Sequence, residues 1–463
     1  MSTTKNKWQK PTLTAHRMGA LNKFGNTSPQ QHLEAFAGVA LLPLMEQYGS
    51  PLFVISEQRL RDNVRRLLRA FETRYSDVVY SWSYKTNYLA AVCNTLHQEG
   101  AWAEVVSAFE YEKARSNGVP GNKILFNGPH KERAILERVV RDGARIHIDH
   151  LDELYLLESV ARDLGQQVDV TMRLNFDTGY TEPWTRFGFN IESGQAMDAA
   201  RVLGHSEVLN LRGLHSHLGT FVLDPRAYAA QINIMCAFMT QVEMDTGCEI
   251  ESIDIGGGFA SMNTLHGTYL PPEQVVPSVD QYAEVICSTL NAAVRHRSAQ
   301  GKSKPRLIME SGRGVVDDAE VLLTSVVANK RLPDGRPSLV IDAGVNVMFT
   351  GFWYNHKVTP LQPQEGMAED TVVYGPLCMN IDVMRASVML PPMNVGDAMM
   401  FSPVGAYNNT QWMQFIEYRP HVLWVDTEKR ISVVREAENL AIVTGPERVP
   451  AHLQEPFREQ QEG

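Results

Sequence analysis

Eight short β-prone runs, each followed by a stretch with helical spacing, constrain the fold of this chain more than any other feature of its sequence. They are VVYSWSY at 78–84, WAEVV at 102–106, KILFN at 123–127, RIHID at 145–149, VDVTMRLNF at 168–176, LNLRGLHSH at 209–217, IESIDIG at 250–256 and RLIME at 306–310. Such alternation is the pattern of a parallel sheet with crossover helices, and eight strands close a (β/α)8 barrel. Most runs lie about 20 residues apart, room for one strand and one helix, and the longer gaps before the sixth and eighth imply loop insertions. Ahead of them, Leu60, Val64, Leu67, Leu68 and Phe71 recur at helical spacing in an Arg-rich segment, which predicts an amphipathic helix over 58–75.

After about residue 330 the runs shorten and turn signals multiply: SLVIDAG, DTVVYG, ASVML, DAMMF, HVLWV and RISVV, with Pro-Asp-Gly at 333–335 and Val-Gly-Asp at 395–397. This predicts an all-β domain, a small barrel or sandwich. The expected division is an N-terminal segment at 1–52 that joins the β domain, the barrel at 53–326 and the β domain at 327–463, with a frayed tail from Pro450.

Composition excludes several functions. The 463 residues are 44% apolar, enough for a large core, and the formal net charge of -10 is spread without a basic stripe, so nucleic acid is not expected as a partner. No run of about 18 uncharged apolar residues occurs and the basic start lacks an apolar region behind it, so neither a membrane span nor a secretory signal is expected. The expected location is cytoplasmic. Five scattered cysteines without a CxxC pair fit neither a disulfide framework nor a structural zinc site.

A barrel of this kind carries its chemistry at the C-terminal ends of its strands. There the runs place Lys85, Glu104, Arg173, His217, the glycines 256–258, Glu310 and Arg313. Consecutive glycines let backbone N–H groups approach a phosphate, and a lysine, a histidine and a glutamate beside them suit a phosphorylated aromatic aldehyde. His215 and His217 also form an HxH pair, but no third ligand follows at convincing spacing, and no metal is expected.

These motifs occur in fixed order: YKTN at Lys85, EVVSAFE from Glu104, GLHSHLGT from Gly213, DIGGG from Asp254, ESGR from Glu310, DAGVN from Asp342, GPLC ending at Cys378 and GAY ending at Tyr407. From about Gly49 to Ala437 the chain resembles the fold-type III decarboxylases, the ornithine and diaminopimelate decarboxylase group. The resemblance implies pyridoxal 5'-phosphate as cofactor, bound covalently by Lys85, with His217 stacked on its ring and Glu310 holding the pyridine nitrogen protonated. Arg313, Gly257, Gly258, Tyr407 and Thr220 match phosphate contacts, and Arg173 and Glu104 match residues around the ring. Cys378 matches the acid that a partner subunit contributes to reprotonate the substrate, which implies a homodimer with shared active sites.

The chain departs from this group where the substrate's far end is read. Met379 stands where the relatives carry an acidic residue for a distal ammonium, and Thr350 where diaminopimelate decarboxylases carry an arginine; Tyr354 is kept and Ser311 replaces a proline. A buried ammonium without a partner is costly, which favours a neutral or conjugated amino acid, citryl- or carrier-linked, as in siderophore or antibiotic assembly. The pocket's far end is expected to be formed by Met379, Asn380, Asn408, Asn409, Gln411, Trp353 and Trp412, with Arg186, His356 or Lys357 open to extra carboxylates. The alternatives are a free diamino acid (diaminopimelate, ornithine or lysine) as substrate, an amino-acid racemase, against which Glu310 speaks, and a non-catalytic binding protein.

Overall fold

The structure, a computed structural model, describes residues 32–268 and 270–454. Residues 1–31 of the expected N-terminal segment, and the tail beyond 454, lie outside them. Eight parallel strands occupy Val78–Ser83, Trp102–Val105, Ile124–Phe126, Arg145–Ile148, Val168–Asn175, Leu209–Ser216, Ser252–Asp254 and Arg306–Met309, one inside each expected run. The last pairs back onto the first, Leu307 opposite Val78, so the barrel is closed. The extra length before the sixth strand holds the loop 177–188 and the two-residue strand Phe189–Asn190; that before the eighth holds the loop 259–268 and the four-residue helix Pro272–Val275.

Helices cover the barrel because each buries one stripe of apolar residues. The amphipathic segment forms Glu57–Glu72, starting at Ser56, whose hydroxyl accepts the Arg59 N–H; it buries Leu60, Val64, Leu67, Ala70 and Phe71 and leaves Leu68 half-buried. Burying each of those larger side chains is worth about 1.5–3 kcal/mol. After the eighth strand the chain forms only the short helix Arg313–Val316, and Glu57–Glu72 packs there instead, between it and the helix Val279–Ala293.

The second domain is a mixed sheet. Its order is Val383–Leu390, Glu369–Tyr374, Pro337–Ile341, Glu320–Arg331, Leu52–Ser56, Val422–Val425 and Ile431–Arg435; Ala398–Ser402 also pairs with Glu320–Arg331 and carries Lys357–Pro360 on its other side. The expected boundaries at 52/53 and 326/327 thus fall inside two strands, Leu52–Ser56 and Glu320–Arg331, which pair with each other in this sheet. Two-sided burial makes LFVIS a continuous apolar run, and such a run does not reveal which sheet it joins. Ahead of it, Phe36, Leu41 and Leu44 pack on Leu52, Val321, Met400 and Leu423 of the sheet. No helix among the described residues is long and apolar enough to cross a membrane.

Candidate active site

The barrel's strand ends and the loop 404–411 of the β domain meet around a cavity of about 620 Å³, within the usual range for small-molecule sites. The first strand stops at Ser83, and one 3-10 turn, Tyr84–Thr86, brings Lys85 into the cavity. That turn is fixed by the β domain: Tyr407 N–H donates to the Thr86 carbonyl (2.7 Å), the Thr410 hydroxyl to the Lys85 carbonyl (2.8 Å) and the Asn87 amide to the Gly405 carbonyl (3.2 Å). Lys85 Nζ lies 2.6 Å from Glu104 Oε2, which also accepts the Ser83 hydroxyl. Burial opposes the ammonium, but Glu104 and then Glu310 outweigh it and hold its pKa above the usual lysine value. Glu104 is therefore the acceptor within reach of the proton that Lys85 must lose before it can act as a nucleophile.

Asn127 joins the two carboxylates. Its amide donates to Glu104 Oε1 (3.1 Å) and to Glu310 Oε1 (2.7 Å). The sequence reading passed over it, although it ends the third β-prone run just as Lys85 follows the first.

Another part of the cavity's lining is built for an anion. A Cβ on Gly257 would lie 2.7 Å from the Glu310 carbonyl oxygen, and one on Gly258, at φ +97°, 2.5 Å from that of Gly219, so only glycine fits this turn. Arg313 is buried, its guanidinium 4.5 Å from the Tyr354 ring centre and 5.1 Å from that of Tyr407. Its Nε and Nη1 find no hydrogen-bond acceptor among the described residues; the nearest carboxylate, of Asp317, is 3.8 Å away. Buried donors without acceptors call for an anionic ligand. Tyr407 holds φ +68°, a strained value for a non-glycine residue, and Thr220 completes this edge. A buried arginine with free donors beside a glycine turn fits the phosphate of pyridoxal phosphate, and Lys85 and Glu310 line the same cavity.

His217 lines the cavity too, its Nδ1 accepting the Gly257 N–H at 3.1 Å. Burial, followed by the Arg173 and Lys85 charges, pushes its pKa down to about 3, so the ring is neutral and suited to stacking on an aromatic cofactor. Trp184 meets it edge-on at 5.1 Å. Arg173 lies 4.4 Å over the Phe187 ring and 3.7 Å from Asp149. Arg186, on the same loop, lines the cavity and makes no ion pair among the described residues.

Several residues expected at the substrate's far end do not reach the cavity. Thr350 and Asn408 are fully buried and bonded to each other (2.9 Å), and Thr350 also meets His356 Nε2 at 2.9 Å. Asn409 binds Glu320, and Trp412 stacks on Phe53. These side chains are buried in the packing of the β domain. Gln411, Trp353 and Tyr354 do line the cavity. Lys357 is exposed. Cys378, Met379 and Asn380 lie outside the cavity on a loop held by Asp382, whose carboxylate accepts the Leu377 and Val345 N–H groups; Cys378 is exposed and Met379 half-buried.

Residues 61–317 match the family described as pyridoxal-dependent decarboxylase, pyridoxal binding domain. The chain is 29% identical to the diaminopimelate decarboxylase of Methanothermobacter thermautotrophicus over 90% of its own length and 96% of the relative's. Its fold superposes with a TM-score of 0.82 on the diaminopimelate decarboxylase of Methanocaldococcus jannaschii, 26% identical, covering 90% of this chain and 96% of that one. A lysine/ornithine decarboxylase of Vibrio vulnificus, 24% identical, superposes at 0.69 over 83% of this chain and 96% of that one, a likeness of fold. With a closed barrel, a mixed β-sheet domain and a cavity that fits the cofactor, the chain belongs to the pyridoxal-dependent decarboxylases and is a pyridoxal-phosphate-dependent carboxy-lyase acting on an amino acid.

Proposed function

We propose that this enzyme decarboxylates a free diamino acid, with diaminopimelate as the leading candidate, and does so in the cytoplasm as a homodimer whose two sites each take Cys378 from the other chain. The observation that carries the substrate is the end-to-end likeness of barrel and β domain to diaminopimelate decarboxylases. Arg186 supports it: an unpaired guanidinium at the cavity gives a distal carboxylate a partner that lysine or ornithine would leave unused. The siderophore or carrier-linked reading has no counterpart among these relatives.

The bound cofactor would supply the electron sink that stabilises the carbanion left by loss of carbon dioxide. Lys85 would bind it covalently, Glu310 would serve its ring nitrogen, and Arg313 with the glycine turn, Thr220 and Tyr407 would hold its phosphate. Glu104 takes the proton from Lys85, and the neutral His217 would pack against the cofactor's ring. Cys378 returns a proton to the substrate's α-carbon.

A second reading, a neutral amino acid or one N-substituted at its distal amine, is favoured by Met379, which leaves a distal ammonium without a carboxylate, and by Thr350, which stands where the resemblance calls for an arginine to meet a distal carboxylate. Carbon dioxide release, measured over meso-diaminopimelate, lysine, ornithine and N-substituted amino acids, separates the two. Release chiefly from diaminopimelate, lost in Lys85→Ala along with the visible absorbance of lysine-bound cofactor, is the expected result. Release only from N-substituted amino acids would overturn the diamino-acid assignment, and optical inversion without release would make the enzyme a racemase.

A further inference from the structure

Three other buried groups converge on the carboxylate of Glu310: His147, His215 and Asp254, with a polar atom of each of the four within 4.8 Å of the others. We propose that Asp254 carries a proton and donates it to Glu310, acting as the positioning residue that leaves Glu310 as the single negative charge of this cluster. This rests on the reading of Glu310 as the partner of the cofactor's ring nitrogen.

A carboxylate oxygen of Asp254 and one of Glu310 lie within 4.8 Å of each other and both groups are buried, and two carboxylates so close away from water do not both stay ionised, so one must hold a proton. The hydrogen bonds around them decide which. Glu310 Oε1 already accepts the Asn127 amide at 2.7 Å. Asp254 Oδ1 accepts the Gly256 N–H at 2.9 Å, whereas Asp254 Oδ2 meets no donor among the described residues. A bare buried carboxylate oxygen is costly; a protonated one facing a carboxylate makes a strong bond.

The neighbours do not supply a compensating charge. His147 Nε2 is 4.0 Å from Asp254 Oδ2 and His215 Nε2 3.4 Å from Glu310 Oε2, but burial drives both imidazoles well below their usual pKa, leaving them neutral. Burial first, and then the Glu310 charge, hold the Asp254 carboxyl well above the usual carboxylate range. In this arrangement Asp254 fixes the orientation of Glu310 and keeps a second negative charge away from the ring nitrogen. The order of events at the α-carbon is unaffected.

Infrared difference spectra of wild type against Asp254→Asn test the proton directly. A carboxylic-acid C=O band at neutral pH, shifted in deuterium oxide and absent from Asp254→Asn, is expected; carboxylate bands alone would overturn the proposal. Asn at this position keeps both a donor toward Glu310 and an acceptor for Gly256, so cofactor affinity should stay within about threefold of wild type, against a loss of about tenfold or more in Asp254→Ala. Equal losses in the two variants would overturn it, as would a stoichiometric transition metal in the purified protein that Asp254→Asn releases, since these four groups are also cation ligands. Unchanged cofactor affinity in Glu310→Gln would remove the reading of Glu310 and leave the infrared result standing.

Discussion

Asn127 shows how much of this site depends on one neutral side chain. Its amide is shared between Glu104 and Glu310, so Asn127→Ala orphans acceptors on both and should destabilise the protein by about 1–3 kcal/mol. Asn127→Asp is expected to be worse, because it sets a third carboxylate between two that are already buried. Chemical denaturation of both variants, with cofactor affinity measured alongside, checks the order; an Asp variant as tight as wild type would mean that the amide is not the bridge. At this scale the sequence was legible wherever a residue's type is rare in its setting. A lysine or a glutamate at the end of an apolar strand announces itself, and Lys85, Glu104, Glu310 and Arg313 all meet at the cavity. Asn127, His147 and Asp254 act through neighbours brought together from different strands, and Thr350 and Asn408 bond inside the β domain, which no linear spacing reveals.

Glu320 begins the long strand Glu320–Arg331, fully buried between the turn after Lys85 and the loop that carries Tyr407. The amides of Asn409 (2.6 Å) and Asn87 (3.4 Å) donate to its carboxyl group. Burial pushes its pKa up to about 8, partly offset by the Asn409 bond and reinforced by Asp317. The folded protein therefore keeps a proton that the unfolded chain releases above the ordinary carboxylate pKa. The contribution of Glu320 to stability is complete below that value and is lost as pH rises toward about 8. Glu320→Gln keeps an acceptor for Asn409 and removes the titration. Melting curves between about pH 5.5 and 8.5 should show a smaller fall for the variant than for wild type; identical slopes would place the proton elsewhere. At this scale the barrel was readable because each strand is followed by its own helix within local sequence. The strand Leu52–Ser56 was not, since its partners Glu320–Arg331 and Val422–Val425 lie some 270 and 370 residues away along the chain.

Within one chain the cavity brings together the residues proposed to hold the cofactor, yet Cys378, the residue proposed to return the proton, is exposed and outside it. Ile381, close along the chain, and Trp353, at the cavity, are also exposed, apolar surface of the kind that a second subunit covers. If each site pairs Lys85 of one chain with Cys378 of the other, Lys85→Ala and Cys378→Ala are each nearly inactive alone but complement when mixed. Random exchange of equal amounts makes half of all dimers mixed, and each mixed dimer has one site free of both substitutions. Recovery of about a quarter of wild-type carbon dioxide release is therefore expected after mixing under conditions that allow subunit exchange. No recovery after demonstrated exchange would mean that Cys378 does not act across subunits, and the proton would then have to come from a group already at the cavity. The same experiment constrains the substrate: if the partner's loop closes the site, Met379 arrives with Cys378, and the pocket's far end is finished by a thioether where the relatives' resemblance calls for a carboxylate. Arg186 would then be the charged side chain best placed to select among diamino acids, and Arg186→Gln in the mixed dimers should depress release from diaminopimelate more than from lysine.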